Sequence, residues 1–224
     1  MPATVPSQGH STRQLHSDRR RAAILDAALQ CFTEQGFTAT TIDDVRRRSG
    51  ASVGSIYHHF AGKEQLAGAL YVAALEGYHE GLLAALRLHA DAEQGTRAMV
   101  RHHLRWVAAN PDLARFLFDR HESEVIATTE STVHELNRAA FSQTAAWLKA
   151  HVEAGRIRRL PTDLYYVILI GPSQEFARHW LHGRMASSIR RAEGHLAQAA
   201  WDAVALAPQP PQPPQPPQPT SKRG

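Results

Sequence analysis

Residues 41–63 read TIDDVRRRSGASVGSIYHHFAGK, and their punctuation describes two short helices joined by a tight turn, with a third starting at once. Thr41 followed three positions later by Asp44 makes a capping box, in which the two residues satisfy each other's backbone donors and mark a helix start. Ile42 and Val45 give that helix its inward side. Gly50 stands where the chain must turn sharply, because glycine takes positive φ without steric cost. Ser52 then caps a second helix carrying Val53, Gly54, Ser55, Ile56, Tyr57, His58 and His59. The predicted unit is a helix-turn-helix, and a short polar second helix of this kind fits the DNA major groove.

Thr41, Ile42, Val45, Gly50, Ser52, Tyr57, Phe60, Lys63 and Leu66 together resemble the signature of TetR/AcrR-type transcriptional regulators. The resemblance is specific over residues 18–70 and continues afterwards only as a helical pattern. It implies an all-α fold of about nine helices: an N-terminal three-helix helix-turn-helix DNA-binding domain, then a helical ligand-binding and dimerisation domain. Ile42, Val45, Ala51, Ile56 and Phe60 are expected as core, and Ser52, Val53, Gly54, Ser55 and His58 on or near the recognition face. Tyr57, His59 and Lys63 match family positions on the phosphate backbone, as does Thr41. Such contacts position a protein, while base-edge contacts specify the sequence. Lys63 reads as a phosphate clamp or as a solvated lysine, and the resemblance favours the clamp. Gly54 costs its helix about 1 kcal/mol against alanine, which a close approach of backbone to the groove explains. Two positions depart from the family. Arg46, where a small residue is commoner, gives the run Arg46-Arg47-Arg48 and a candidate phosphate contact. Gly62 replaces a commoner serine N-cap, and glycine caps acceptably.

A chain of 224 residues holds one large domain or two small ones and can bury a substantial core. Its net charge of +4 suits a nucleic-acid partner without establishing one. The single cysteine, Cys31, excludes an intramolecular disulfide and fits a reducing cytoplasm. No apolar run is long enough to span a bilayer, and the N-terminus lacks a signal-peptide core, so a cytoplasmic protein without a membrane partner is expected.

In chain order the expected organisation is a disordered arm over 1–17, the helix-turn-helix domain over 18–63, an effector-binding and dimerisation domain over 64–206, and a disordered Pro/Gln-rich tail over 207–224. The cluster Arg13, Arg19, Arg20 and Arg21 reads equally as an arm reaching DNA or as a solvated basic helix start. From Arg21, the spacing of Ile24, Ala27, Ala28, Cys31 and Phe32 predicts one buried helix face, ended by Gly36 with Phe37 folding back. A long helix from Lys63 to about Leu88, with Leu66, Leu70, Ala73, Gly77, Leu82 and Leu86 inward, reaches about 40 Å. The family uses this helix to carry a ligand signal; an ordinary packing helix would look the same. Further helices are expected over about 92–109, from Asn110-Pro111, over about 122–154, from Thr162-Asp163 to His182 with a kink at Gly171-Pro172, and over about 187–206. The resemblance places a homodimer interface on the last two helices. The repeated proline of 208–219 fits an extended polyproline tail, solvated or docking a partner.

The second domain is expected to enclose a cavity lined by His103, Trp106, Phe116, Phe118, Tyr165, Tyr166, Gln174, Phe176 and Trp180, each of which could instead be plain core. Trp147 suits cavity or dimer interface equally. The aromatics suggest a lipophilic or aromatic ligand. Fourteen histidines include no HExxH and have no accompanying cysteines, so neither metal nor cofactor is expected. No nucleophile–base pair or Gly-rich phosphate loop falls at mechanistic spacing, which argues against an enzyme. The expected function is a ligand-responsive, homodimeric repressor released from a near-palindromic double-stranded DNA operator by a small effector. A DNA-binding regulator without an effector, a helical enzyme and a tail-mediated adaptor are the alternatives.

Overall fold

The computed structural model describes residues 8–118 and 129–206. Its helices are α1 Gln8–Gln35, α2 Ile42–Ser49, α3 Val53–His59, α4 Lys63–Arg87 and α5 Ala92–Ala109. They continue with α6 Pro111–Phe118, α7 Glu130–Glu153, α8 Thr162–Leu169, α9 Gly171–Leu181 and α10 Ile189–Val204. The fold is all-α, and among the described residues a single antiparallel bridge, Ile157 to Ala205, is the extended pairing. The α8 and α9 segments meet at Ile170 as two parts of one rod. Pro172 in the first turn of α9 has no N–H to give back to α8, which is the kink the sequence announces.

Several boundaries shift from expectation. α1 begins at Gln8, so residues 8–17 of the expected arm are helical. No proline follows Pro6 until Pro111, and each residue added to an existing helix brings its own hydrogen bond. Residues 1–7, the tail over 207–224 and the expected helical stretch over 122–128 lie outside the described residues.

Two cores organise the chain. The first joins Ile24, Ala28, Cys31 and Phe32 of α1 to Val45, Ile56 and Phe60, and extends to Leu66, Ala67 and Leu70 of α4. The second gathers Leu82, Leu86, Met99, Leu104, Val107, Leu148, Leu169, Ala197 and Val204. A boundary at residue 63 therefore falls before the first core is complete. The α6 helix also serves both cores, with Leu113 and Phe116 against the first and Ala114 inside the second. Along α4 the inward line differs from the one expected. Ala73 is half-buried and Gly77 exposed, while Ala74 and Tyr78 point inward. The stripe winds, because the helix meets α1 at one end and α5 and α7 at the other.

Candidate nucleic-acid interface and candidate ligand cavity

The capping box is present in full. The Thr41 hydroxyl accepts from the Asp44 N–H at 3.2 Å, and the Thr41 N–H donates to Asp44 Oδ2 at 2.9 Å. The Thr41 hydroxyl and N–H, with Arg47 beyond them, hold the Asp44 carboxyl down at about 2. Gly50 closes α2 at φ +67°, and its N–H donates to the Arg46 carbonyl. The Ser52 side chain accepts from the Ser55 N–H at 3.1 Å and starts α3. This short helix buries Ile56 completely and leaves its other side to solvent. Val53 is 46% exposed and Tyr57 53%, with Ser52, Gly54 and His58 exposed beside them and Ser55 and His59 half-buried. A Cβ on Gly54 would meet nothing within 4 Å, so no packing in the free chain requires glycine there.

Cationic groups surround this face, though many are engaged. Burial lowers the His59 pKa, and the positive charges of His58, Arg21 and Arg20 lower it further. The α1 arginines thus lie near the end of α3, with the Arg21 guanidinium 5.6 Å from the Phe60 ring centre. Arg46 pairs with Asp43 at 2.7 Å, Arg47 with Asp43 and Asp44, and Arg48 with Glu34. Lys63 is half-buried, and its ammonium is engaged. Its ammonium donates to the carbonyls of Phe37 at 2.9 Å and Thr38 at 3.2 Å, and lies 4.5 Å from the Phe37 ring centre. It ties the start of α4 to the α1–α2 connection.

A cavity of about 770 Å³ opens in the second domain. Its walls are Tyr71, Leu75, Tyr78, His79 and Leu82 of α4, Met99, His103 and Trp106 of α5, and Leu117 and Phe118 of α6. Asn137, Ala140, Phe141, Thr144, Ala145 and Leu148 of α7, Thr162, Asp163, Tyr165, Tyr166 and Leu169 of α8, Ile170 and Gln174 also line it. The size lies within the range of small-molecule sites. Burial, reinforced by His102, pushes His103 down to about 4, so its imidazole is neutral. Its Nδ1 stands 3.0 Å from the Tyr78 hydroxyl, whose pKa burial raises well above the phenol value. The Tyr166 hydroxyl donates to Gln174 Oε1 at 3.1 Å. The Tyr165 hydroxyl donates to the Arg158 carbonyl at 2.6 Å, so its polar end is committed to the chain.

Residues 24–70 match the family described as bacterial regulatory proteins, tetR family. Those residues form a TetR-type DNA-binding domain. Over 202 residues, 87% of each chain, the protein is 26% identical to the transcriptional activator FasR of Mycolicibacterium smegmatis. It is 40% identical over 73 residues to the transcriptional repressor KstR2 of Mycobacterium tuberculosis, a match spanning 33% of this chain and 34% of that one. Its fold also resembles that of FadR from Bacillus subtilis, solved in complex with stearoyl-CoA, with a TM-score of 0.70 at 16% identity. That match covers 82% of this chain and 98% of the other.

The cavity gathers His103, Trp106, Phe118, Tyr165, Tyr166 and Gln174 from the expected set and omits three. Phe116 stacks on Phe32 of α1, ring centres 5.8 Å apart, and meets Tyr71 edge-on. One residue from Leu117, it lies about 100° round the helix and so faces the first core. Phe176 and Trp180 pack on the second core, turned away from Gln174 on α9. Trp147 does not line the cavity; its ring fills the space above Gly95. Sequence reading missed Tyr71, Tyr78 and His79 on α4 and Asn137, Phe141 and Thr144 on α7. A signal existed, since 71, 75, 78 and 82 and also 137, 141, 144 and 148 follow helical spacing, mixing polar with aromatic side chains. Among the described residues no three His, Cys, Asp or Glu side chains stand together as a metal set, and no helix is long and apolar enough to cross a membrane.

Proposed function

We propose that this protein acts in the cytoplasm as a homodimeric repressor. Its paired α3 helices would enter successive major grooves of a near-palindromic operator, and a small lipophilic or aromatic effector filling the cavity would release it. One observation carries the reading. α4 is continuous from Lys63, fastened beside the DNA-reading pair, to Tyr71, Tyr78 and Leu82 in the cavity wall. A change in cavity occupancy therefore acts on the helix that holds the reading head. The effector-free alternative calls for a solid second domain, which a cavity of about 770 Å³ does not fit.

Within this reading Ser52, Val53, Gly54, Ser55 and His58 face base edges, and Gly54 admits the groove where a side chain would stand between. Thr41, Tyr57 and His59 meet phosphates, with Arg46 exchanging Asp43 for phosphate. Lys63 supports the site by fixing α4 and needs no phosphate of its own. The last two helices, the α8–α9 rod and α10, form the dimer contact. Leu164 and Val167 stand exposed on that rod, where a second copy would cover them.

Binding to DNA upstream of its own gene, titrated at two salt concentrations, tests the reading. Tight binding that weakens steeply with salt supports it, because phosphate contacts release counterions. Failure to enrich any site from a random-sequence pool overturns it. FasR is named an activator and KstR2 a repressor, so a promoter–reporter fusion, silenced or stimulated by the protein, decides between the two modes.

A further inference from the structure

We infer that the cavity takes an uncharged, largely apolar molecule bearing a carbonyl-type acceptor, and that the acceptor receives its hydrogen bond from Nε2–H of His103. The inference rests on the reading of the cavity as the effector site and names the chemistry of its occupant.

His103 is 3% exposed and lines the cavity. Its Nδ1 faces the Tyr78 hydroxyl at 3.0 Å, whereas its Nε2 is buried with no hydrogen-bond partner. Two arrangements of the pair are open. If Nδ1–H donated to Tyr78, the phenolic hydrogen would be left without an acceptor, and Nε2 would be an idle lone pair. If the phenol donates to Nδ1, that hydrogen is satisfied and the imidazole carries its own hydrogen on Nε2. The second arrangement strands fewer buried groups, so it prevails where unmet donors are costly. It leaves one neutral N–H donor with nothing to meet. His79 Nδ1 is also buried and unpartnered, and its ring centre lies 5.7 Å from that of Tyr78. Of the three buried side-chain atoms without a partner among the described residues, these two belong to rings packed on Tyr78, and the third, Thr96 Oγ1, lies outside the cavity lining.

The rest of the lining selects for an uncharged occupant. Among the described residues no lysine or arginine lines the cavity, and the acidic side chain there is Asp163. Against these described walls a carboxylate ligand would meet a neutral donor and an acidic group, without the cation that burying an anion requires. Leu75, Leu82, Met99, Leu148, Leu169 and Ile170 supply apolar wall for the remainder of the molecule. A ketone, ester or thioester on a hydrocarbon body meets both demands.

The test uses the full-length protein with 2-decanone, decane and decanoate, binding being followed by tryptophan fluorescence because Trp106 lines the cavity. His103→Phe keeps a ring and removes the donor. It should weaken 2-decanone about tenfold or more relative to its effect on decane, the cycle cancelling the general change in wall. Decanoate at pH 8 should bind the unaltered protein more weakly than 2-decanone. Independently of any variant, ¹⁵N shifts of the His103 imidazole should show hydrogen on Nε2 in the free protein. Equal effects of the variant on ketone and alkane, tighter binding of decanoate, or hydrogen on Nδ1 would each overturn the inference. If none of the three probes binds while operator binding is intact, the inference fails and the DNA-binding reading stands. If the ketone behaves as described yet never releases DNA, the cavity chemistry stands and release by an effector fails.

Discussion

Replacing Lys63 by methionine separates two roles that the sequence alone leaves superposed. The substitution keeps the aliphatic stem and removes the ammonium that donates to the Phe37 and Thr38 carbonyls at 2.9 and 3.2 Å and lies over the Phe37 ring. Hydrogen bonds from a charged donor contribute roughly 1.5–3 kcal/mol in protected settings, and an exposed cation–π contact about 0.5–1 kcal/mol. Lys63 is half-buried and both carbonyls can take water in its place, so a net loss of about 1–2 kcal/mol is expected. In a chain of this size that lowers the melting temperature by roughly 2–8 °C. Urea unfolding at fixed protein concentration gives the first number. The salt dependence of operator binding gives the second, since each phosphate contact contributes about 0.9 to the slope of log K against log salt. A staple costs stability and leaves the slope unchanged. A slope reduced by about 0.9 with an unchanged unfolding midpoint would refute the reasoning and restore Lys63 as a phosphate clamp.

The remaining expectations concern the reading face, the packing and pH. Ser55→Ala and His58→Ala should redistribute preference among operator variants in a selection assay, whereas Tyr57→Ala should weaken binding to all of them alike; redistribution by Tyr57→Ala would contradict the division. Gly95→Ala should destabilise by about 1–3 kcal/mol, because its Cβ would lie 2.1 Å from the Trp147 ring. Gly77→Ala, exposed and unobstructed, should instead stabilise by up to about 1 kcal/mol, and thermal melts that rank the pair the other way would refute the packing described. Burial holds His103 at about 4, below its unfolded value of about 6.5, so the unfolded chain binds more protons between these pH values. Stability should therefore be fully present above pH 6.5 and fall on acidification toward pH 4, by roughly 3 kcal/mol from this residue. His79 and His102, also lowered by burial, add to the same slope. Urea midpoints of His103→Phe between pH 5 and 7 that are as steep as those of the unaltered chain would count against this assignment.

Where local chemistry dictates structure, the sequence was enough. The Thr41–Asp44 box, the left-handed Gly50 and the Ser52 cap each depend on residues no more than a few positions apart, and all lie where expected. The cavity depends on how α4, α5, α7 and α8 rotate against one another, which no short stretch encodes. Thus Phe118 was found and Phe116 misplaced, though both are aromatic and sit on one short helix. Tyr78 escaped because the α4 stripe was followed through Gly77, whereas the winding contact with α5 brings its neighbour inward. The engagement of Lys63 by two loop carbonyls was equally out of reach, since nothing in a lysine announces which backbone oxygens will come to meet it.

The shared ownership of α4 and α6 has a practical consequence for anyone building hybrid regulators. A head exchanged at residue 63 would leave Leu66, Ala67, Leu70 and Phe116 of the host pressed against foreign partners for Ile24, Phe32 and Ile56. A graft that respects the packing must be spliced inside α4, beyond Leu70, and must bring a compatible residue at position 116 from a part of the chain more than forty residues away. The transplantable module is therefore discontinuous in sequence, and specificity swaps designed as simple end-to-end fusions should give hybrids whose two halves fold but transmit poorly.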